Sequence, residues 1–132
     1  LQAKDDLSKV LEFEEKMVKY IGAKYAIATA TSTAALHLAL SSMRLKRGDK
    51  VLMSVNSFVN LPETVRHFDA EPIFVDINLE DMNLDIEKFE EAIIANKSKK
   101  LRAAIITFIG GLAPNLDKIY EIGKKYNILI NC

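Results

Sequence analysis

The sequence has one cysteine, no excess charge of either sign and no long apolar run. Each shortage removes a class of protein. Cys132 has no partner within the chain, so a disulfide framework is excluded. Eighteen basic residues balance eighteen acidic ones, which leaves no net field to gather nucleic acid or an anionic membrane. No stretch of about 18 apolar residues and no charged-then-apolar leader occurs, and the expectation is a soluble, cytoplasmic protein. Low-complexity tracts, linkers and internal repeats are also missing. No GxGxxG, Walker loop, GxSxG or HExxH occurs, which argues against dinucleotide, NTPase, hydrolase and zinc-protease readings. His37 and His67 have no metal-ligand partner at useful spacing and read as structural or solvent-facing.

What is present is the composition of one globular core: 132 residues, 49% hydrophobic and 27% charged. Val10, Phe13, Met17 and Tyr20 recur at helical steps and mark one face of a first helix that Gly22 closes. Residues 25–29 form a short apolar run that reads as a strand, and Leu36, Ala39, Leu40 and Met43 follow at helical spacing. Arg47-Gly48-Asp49 turns the chain into residues 51–55, a run too continuous for a sheet with one wet face. Pro62 suits the first turn of a helix carrying Val65 and Phe68, and residues 72–75 read as the next strand. Asp85 can cap a helix bearing Ile86, Phe89 and Ile93. Residues 103–107 are another strand, and Asn115 or Asp117 starts a helix with Leu116, Ile119, Tyr120 and Gly123. The closing run, residues 128–132, is the last strand. Strands alternating with helices predict right-handed crossovers and a three-layer αβα sandwich with a mostly parallel sheet. The chain opens at Leu1 and stops inside an apolar run, which leads us to expect a truncated domain.

In such sheets the ligand lies at the carboxyl ends of the strands. Thr31-Ser32-Thr33 puts three hydroxyls at a helix N-terminus, where free N–H groups and the helix dipole favour an anion; the same residues equally suit a simple helix cap. Phe58 follows the buried strand and either stacks on a planar ring or joins the core. Residues 76–81, with Glu87, echo a calcium loop, but Asp81 occupies the position that needs glycine and a strand precedes the stretch. Phe108-Ile109-Gly110-Gly111 lets backbone approach a ligand closely or simply turns the chain.

Taken together these segments resemble the DegT-type family of nucleotide-sugar aminotransferases, fold type I enzymes that depend on pyridoxal 5'-phosphate (PLP). The resemblance runs through residues 11–16, 20–26, 31–40, 47–51, 70–77 and 115–119, nearly the whole chain in order. It implies that Thr31-Ser32-Thr33 corresponds to the family's Ser-Gly-Thr phosphate cup, with Ser32 and Thr33 holding the cofactor phosphate and Ser32 in place of the usual Gly. It implies that Phe58 is the ring that stacks on the pyridine face. Phe108-Ile109-Gly110-Gly111 departs from the family's His-x-Tyr-Gly stretch. The Schiff-base lysine and the carboxylate on the pyridinium nitrogen are expected beyond Cys132, so no catalytic residue is assigned within the chain.

The resemblance therefore implies the N-terminal part of a PLP-binding large domain, residues 1–132, without the small C-terminal domain. The full-length enzyme would pass an amino group from an amino-acid donor, glutamate by expectation, to a keto nucleotide sugar, and would act as a homodimer. This chain alone is expected to be inactive. A PLP-dependent sugar dehydratase on the same scaffold is the near alternative. A non-catalytic α/β domain that binds a phosphorylated ligand is the distant one.

Overall fold

The computed structural model describes residues 2–132, with side chains described from Leu7 onward. Two compact units divide the chain at Ala35/Leu36.

The first unit holds helix α1 (Gln2–Ile21), the connection that follows it and the first turn of α2 (Ser32–Ser42). Glu12 accepts from Lys9 at 3.2 Å and Lys16 at 2.7 Å, the one-turn pairing that supports a solvent-facing helix. Gly22, at φ 74°, stops α1 in a left-handed turn, as its position in the sequence predicts. The apolar stripe is not buried: Val10, Phe13 and Tyr20 are exposed and Met17 is half-buried. Residues 25–29 are not a strand. A strand exists only if a neighbour receives its backbone groups, and among the described residues none does. The N–H of Ala28 goes instead to the Glu14 carboxylate at 2.7 Å, which ties the connection to α1.

The second unit is a layered α/β structure. Its strands are β1 (Lys50–Ser54), β2 (Glu71–Val75), β3 (Leu101–Ile105) and β4 (Leu129–Asn131), all parallel in the order β2-β1-β3-β4. Alternating side chains leave the sheet on both faces. Leu52 and Ala104 meet α4 (Ile86–Ala95) and α5 (Leu116–Tyr126) through Phe89, Ile93, Ile119 and Ile122. Val51, Met53, Ala103 and Ile105 meet Leu40 of α2 and Val65 of α3 (Asn60–His67) on the other face. This is the three-layer sandwich that the alternation predicts. Each large apolar side chain enclosed this way contributes about 1.5–3 kcal/mol. β2 lies at the sheet edge, where Pro72 is tolerated because one side of the strand has no ladder to feed.

The helix ends are set locally. Asp85 accepts from the Lys88 N–H at 2.9 Å, and Asn115 rather than Asp117 accepts from the Lys118 N–H at 3.2 Å. α5 closes on Asn127 in the left-handed region (φ 56°), with Asn127 N–H donating to Lys124 and Ile128 N–H to Gly123. Gly123 is needed for space: a Cβ there would lie 2.7 Å from Cγ1 of Ile130, so α5 sits directly on β4.

At the amino ends of the strands the buried Asp49 carboxylate accepts from the Lys46 N–H at 2.9 Å and lies 3.6 Å from the Lys100 ammonium. Among the described residues no helix is long and apolar enough to cross a membrane.

Candidate functional site

The chain steps from β1 to β2 in one direction across the sheet and, after crossing back over β1, from β3 to β4 in the other. Strand order reverses between β1 and β3, and in an open α/β sheet the crevice outside the carboxyl ends at that reversal is where a ligand fits. Two segments form its lips, residues 55–59 after β1 and residues 106–112 after β3.

The first lip is a compact turn. Ser54 is buried, its hydroxyl accepts from the Asn56 N–H at 3.2 Å, and the Ser57 hydroxyl donates back to the Ser54 carbonyl at 3.0 Å. The turn spends its polar groups on itself and throws Phe58 outward, leaving it 75% exposed. Phe58 thus lies outside the described core of this unit, while α3, which begins two residues later, contributes apolar contacts on that face through Leu61 and Val65.

The second lip leaves β3 through Thr107, whose hydroxyl is buried with no hydrogen-bond partner among the described residues. Ile109–Gly111 forms one turn of 3-10 helix, with Gly110 at φ 61° and Gly111 at φ 82°. Both glycines thus hold conformations other residues rarely adopt.

A polar brace spans the two lips. Asn56 Nδ2 donates to the Met82 carbonyl at 3.1 Å. Asn83, fully buried, accepts from the Ile109 N–H and donates to the Leu112 carbonyl, each at 3.1 Å. Sequence reasoning passed over Asn83, since an asparagine in a polar loop carries no local sign of burial.

The acidic stretch before α4 is turned on its own backbone. Asp76, Asn78 and Asp81 side chains accept from the N–H groups of Ile77, Glu80 and Asn83, and Asp85 caps α4. Among the described residues no group of three or more His, Cys, Asp or Glu is placed to hold a metal ion. His37 lies against Phe68, with ring centroids 4.8 Å apart, and both histidines are exposed.

In the first unit, the hydroxyl segment resolves into cap and remainder. Thr31 is the cap: its hydroxyl accepts from the Ala34 N–H at 3.1 Å, and its carbonyl from the Ala35 N–H. Ser32 and Thr33 follow the cap. They stand exposed in the first turn of α2, beside backbone N–H groups at the positive end of the helix. An exposed hydroxyl pair on such a helix end suits a phosphate monoester.

The family model described as the DegT/DnrJ/EryC1/StrS aminotransferase family matches residues 5–131. The UDP-2-acetamido-2-deoxy-3-oxo-D-glucuronate aminotransferase of Pseudomonas aeruginosa is 32% identical over 120 residues, 91% of this chain and 32% of that protein. The crystal structure of a DegT DnrJ EryC1 StrS aminotransferase from Brucella abortus has a TM-score of 0.84 at 31% identity, covering 92% of this chain and 33% of the other. The E. coli GDP-4-keto-6-deoxy-D-mannose-3-dehydratase with bound hydrated PLP shares the fold at a TM-score of 0.81 and 24% identity, covering 92% and 32%. The chain spans about a third of the length of the curated relatives it matches.

Proposed function

Because this chain belongs to the DegT/DnrJ/EryC1/StrS aminotransferase family, we propose that it is the N-terminal part of the PLP-binding domain of a nucleotide-sugar aminotransferase. The intact enzyme moves an amino group from an amino-acid donor, glutamate in our reading, to the keto group of a nucleotide-linked sugar, releasing the keto acid and the amino sugar. The family match over residues 5–131 carries this reading. The same membership supports a homodimer in the cytoplasm.

PLP, when bound, supplies the electron sink and carries the amino group between the two substrates. The chain's own part is to bind and orient. Ser32 and Thr33 donate hydroxyl hydrogens to the phosphate, and the first-turn N–H groups of α2 add dipolar attraction. Phe58, whose exposure leaves its ring face open to a ligand, stacks on the pyridine ring and fixes its plane.

The test uses the intact protein. It binds PLP and, given glutamate and a keto nucleotide sugar, forms keto acid and amino sugar in equal amounts. Loss of a sugar hydroxyl without gain of an amino group identifies a dehydratase instead. Replacing Ser32 and Thr33 together by Ala lowers PLP affinity about a hundredfold or more, since each hydrogen bond to a charged group contributes about 1.5–3 kcal/mol. Undiminished affinity moves the phosphate elsewhere.

A further inference from the structure

Residues 82 and 83 touch both lips of the crevice at the strand-order reversal. The Met82 carbonyl is held by Asn56 from the β1 side, and the Asn83 side chain holds Ile109 and Leu112 on the β3 side. Asn83 is itself fastened: its N–H donates to the Asp81 carboxylate at 3.0 Å, and its carbonyl accepts from the Asn78 N–H at 2.9 Å. Met82 sits at φ 59°, an uncommon conformation for a long side chain that persists only where the surroundings over-determine it. It is what allows one residue to face its carbonyl to Asn56 while the next turns inward.

The geometry points to Asn83 as a positioning residue: with Met82 it braces the loops after β1 and β3 at one separation and so preorganises the crevice that Phe58 borders. The chemistry is specific to an amide. Oδ1 accepts at the start of the Ile109–Leu112 turn and Nδ2 donates at its end, so a turn containing two glycines is pinned at both ends. Unpinned, that turn would sample many backbone states, and ordering it would be charged against ligand affinity. The brace stands on the hydrogen bonds and the strand order. That the occupant is PLP rests on the function proposed above.

The experiment measures PLP affinity by absorbance titration in the intact protein, together with amide hydrogen exchange across residues 109–112 and thermal unfolding. Asn83→Ala is expected to lower PLP affinity about tenfold, the equivalent of about one hydrogen bond's contribution, and to speed exchange across the turn. Asn56→Ala, which releases the other lip, lowers affinity by a smaller factor in the same direction. Asn83→Asp loses the donor to Leu112 at neutral pH, and its affinity recovers toward wild type as pH is lowered, because the protonated carboxyl regains an O–H to give. A lower melting temperature with unchanged PLP affinity and unchanged exchange across the turn makes Asn83 merely structural and overturns the proposal. Should Asn83→Ala not fold, unchanged affinity in Asn56→Ala overturns it equally. If the wild type itself binds no PLP, the proposed function fails, while exchange at the turn still decides the brace.

Discussion

The two ends of the four-stranded sheet are built from different chemistry. At the amino ends charge is used to hold the structure: the buried Asp49 carboxylate faces Lys100 and Arg102, and Lys50 lies 3.9 Å from Glu71. At the carboxyl ends, apart from the acidic stretch after β2, the side chains are neutral and partly unspent. Ser54, Asn56, Asn83 and the glycine turn shape the backbone, the Thr107 hydroxyl has no partner among the described residues, and Phe58 is exposed. A parallel sheet makes this division available because every strand presents the same end to the same side, so stability and binding can be assigned to opposite rims.

The largest test of that division is Asp49→Ala in the intact protein. It strips the Lys46 N–H of its acceptor and two cations of their partner, and should lower stability by about 1–3 kcal/mol in thermal unfolding while PLP affinity stays unchanged. A loss of affinity in the folded variant would show that the two rims are coupled. Phe58→Ala is the converse and smaller: PLP affinity falls by about 0.5–1.5 kcal/mol with no change in melting temperature, since the ring buries little in the free protein. Unchanged affinity would remove the stacking role.

The smallest effect concerns Glu90, which joins α4 to α5 by accepting from Lys125 at 2.7 Å and from the Tyr126 hydroxyl at 2.8 Å. The hydrogen bond from Lys125, aided by Tyr126, holds its carboxyl below the ordinary value of 4.5. A depressed acid stabilises the fold above its unfolded-state value and loses that contribution as pH falls through the folded-state one. Glu90→Gln should therefore lower stability slightly at neutral pH, leave it unchanged at low pH where both side chains are neutral, and so flatten the acid limb, the whole effect being small because the pair is solvent-exposed. An identical acid limb in the variant would show that solvent screens the pair completely.

Much of the second unit was legible as a sequence. The unbroken run at 51–55 announced a strand buried on both faces, found at Lys50–Ser54, and Asp85 announced a helix start, because each signal depends on a few neighbouring residues. Residues 25–29 misled for the same reason: apolar character is local, but a strand needs a partner that the run itself cannot specify. Phe58, which the residues alone left open between a stacking ring and the core, and Asn83, on which the sequence is silent, lie in opposite settings, a large apolar ring exposed and a small amide sealed within. Their burial is set by what the turns around them spend or lack in hydrogen bonds.

By itself, then, the sequence determined the alternation of strand and helix in the second unit, the Asp85 cap, and the hydroxyl segment at the start of α2, since periodicity and capping are properties of adjacent residues. Only the tertiary structure decided that Thr31 is the cap while Ser32 and Thr33 stay exposed, that strand order reverses between β1 and β3, and that Asn83 joins the loops leaving the sheet. Those depend on hydrogen bonds to backbone groups, which any residue carries and whose partners only the folded chain selects.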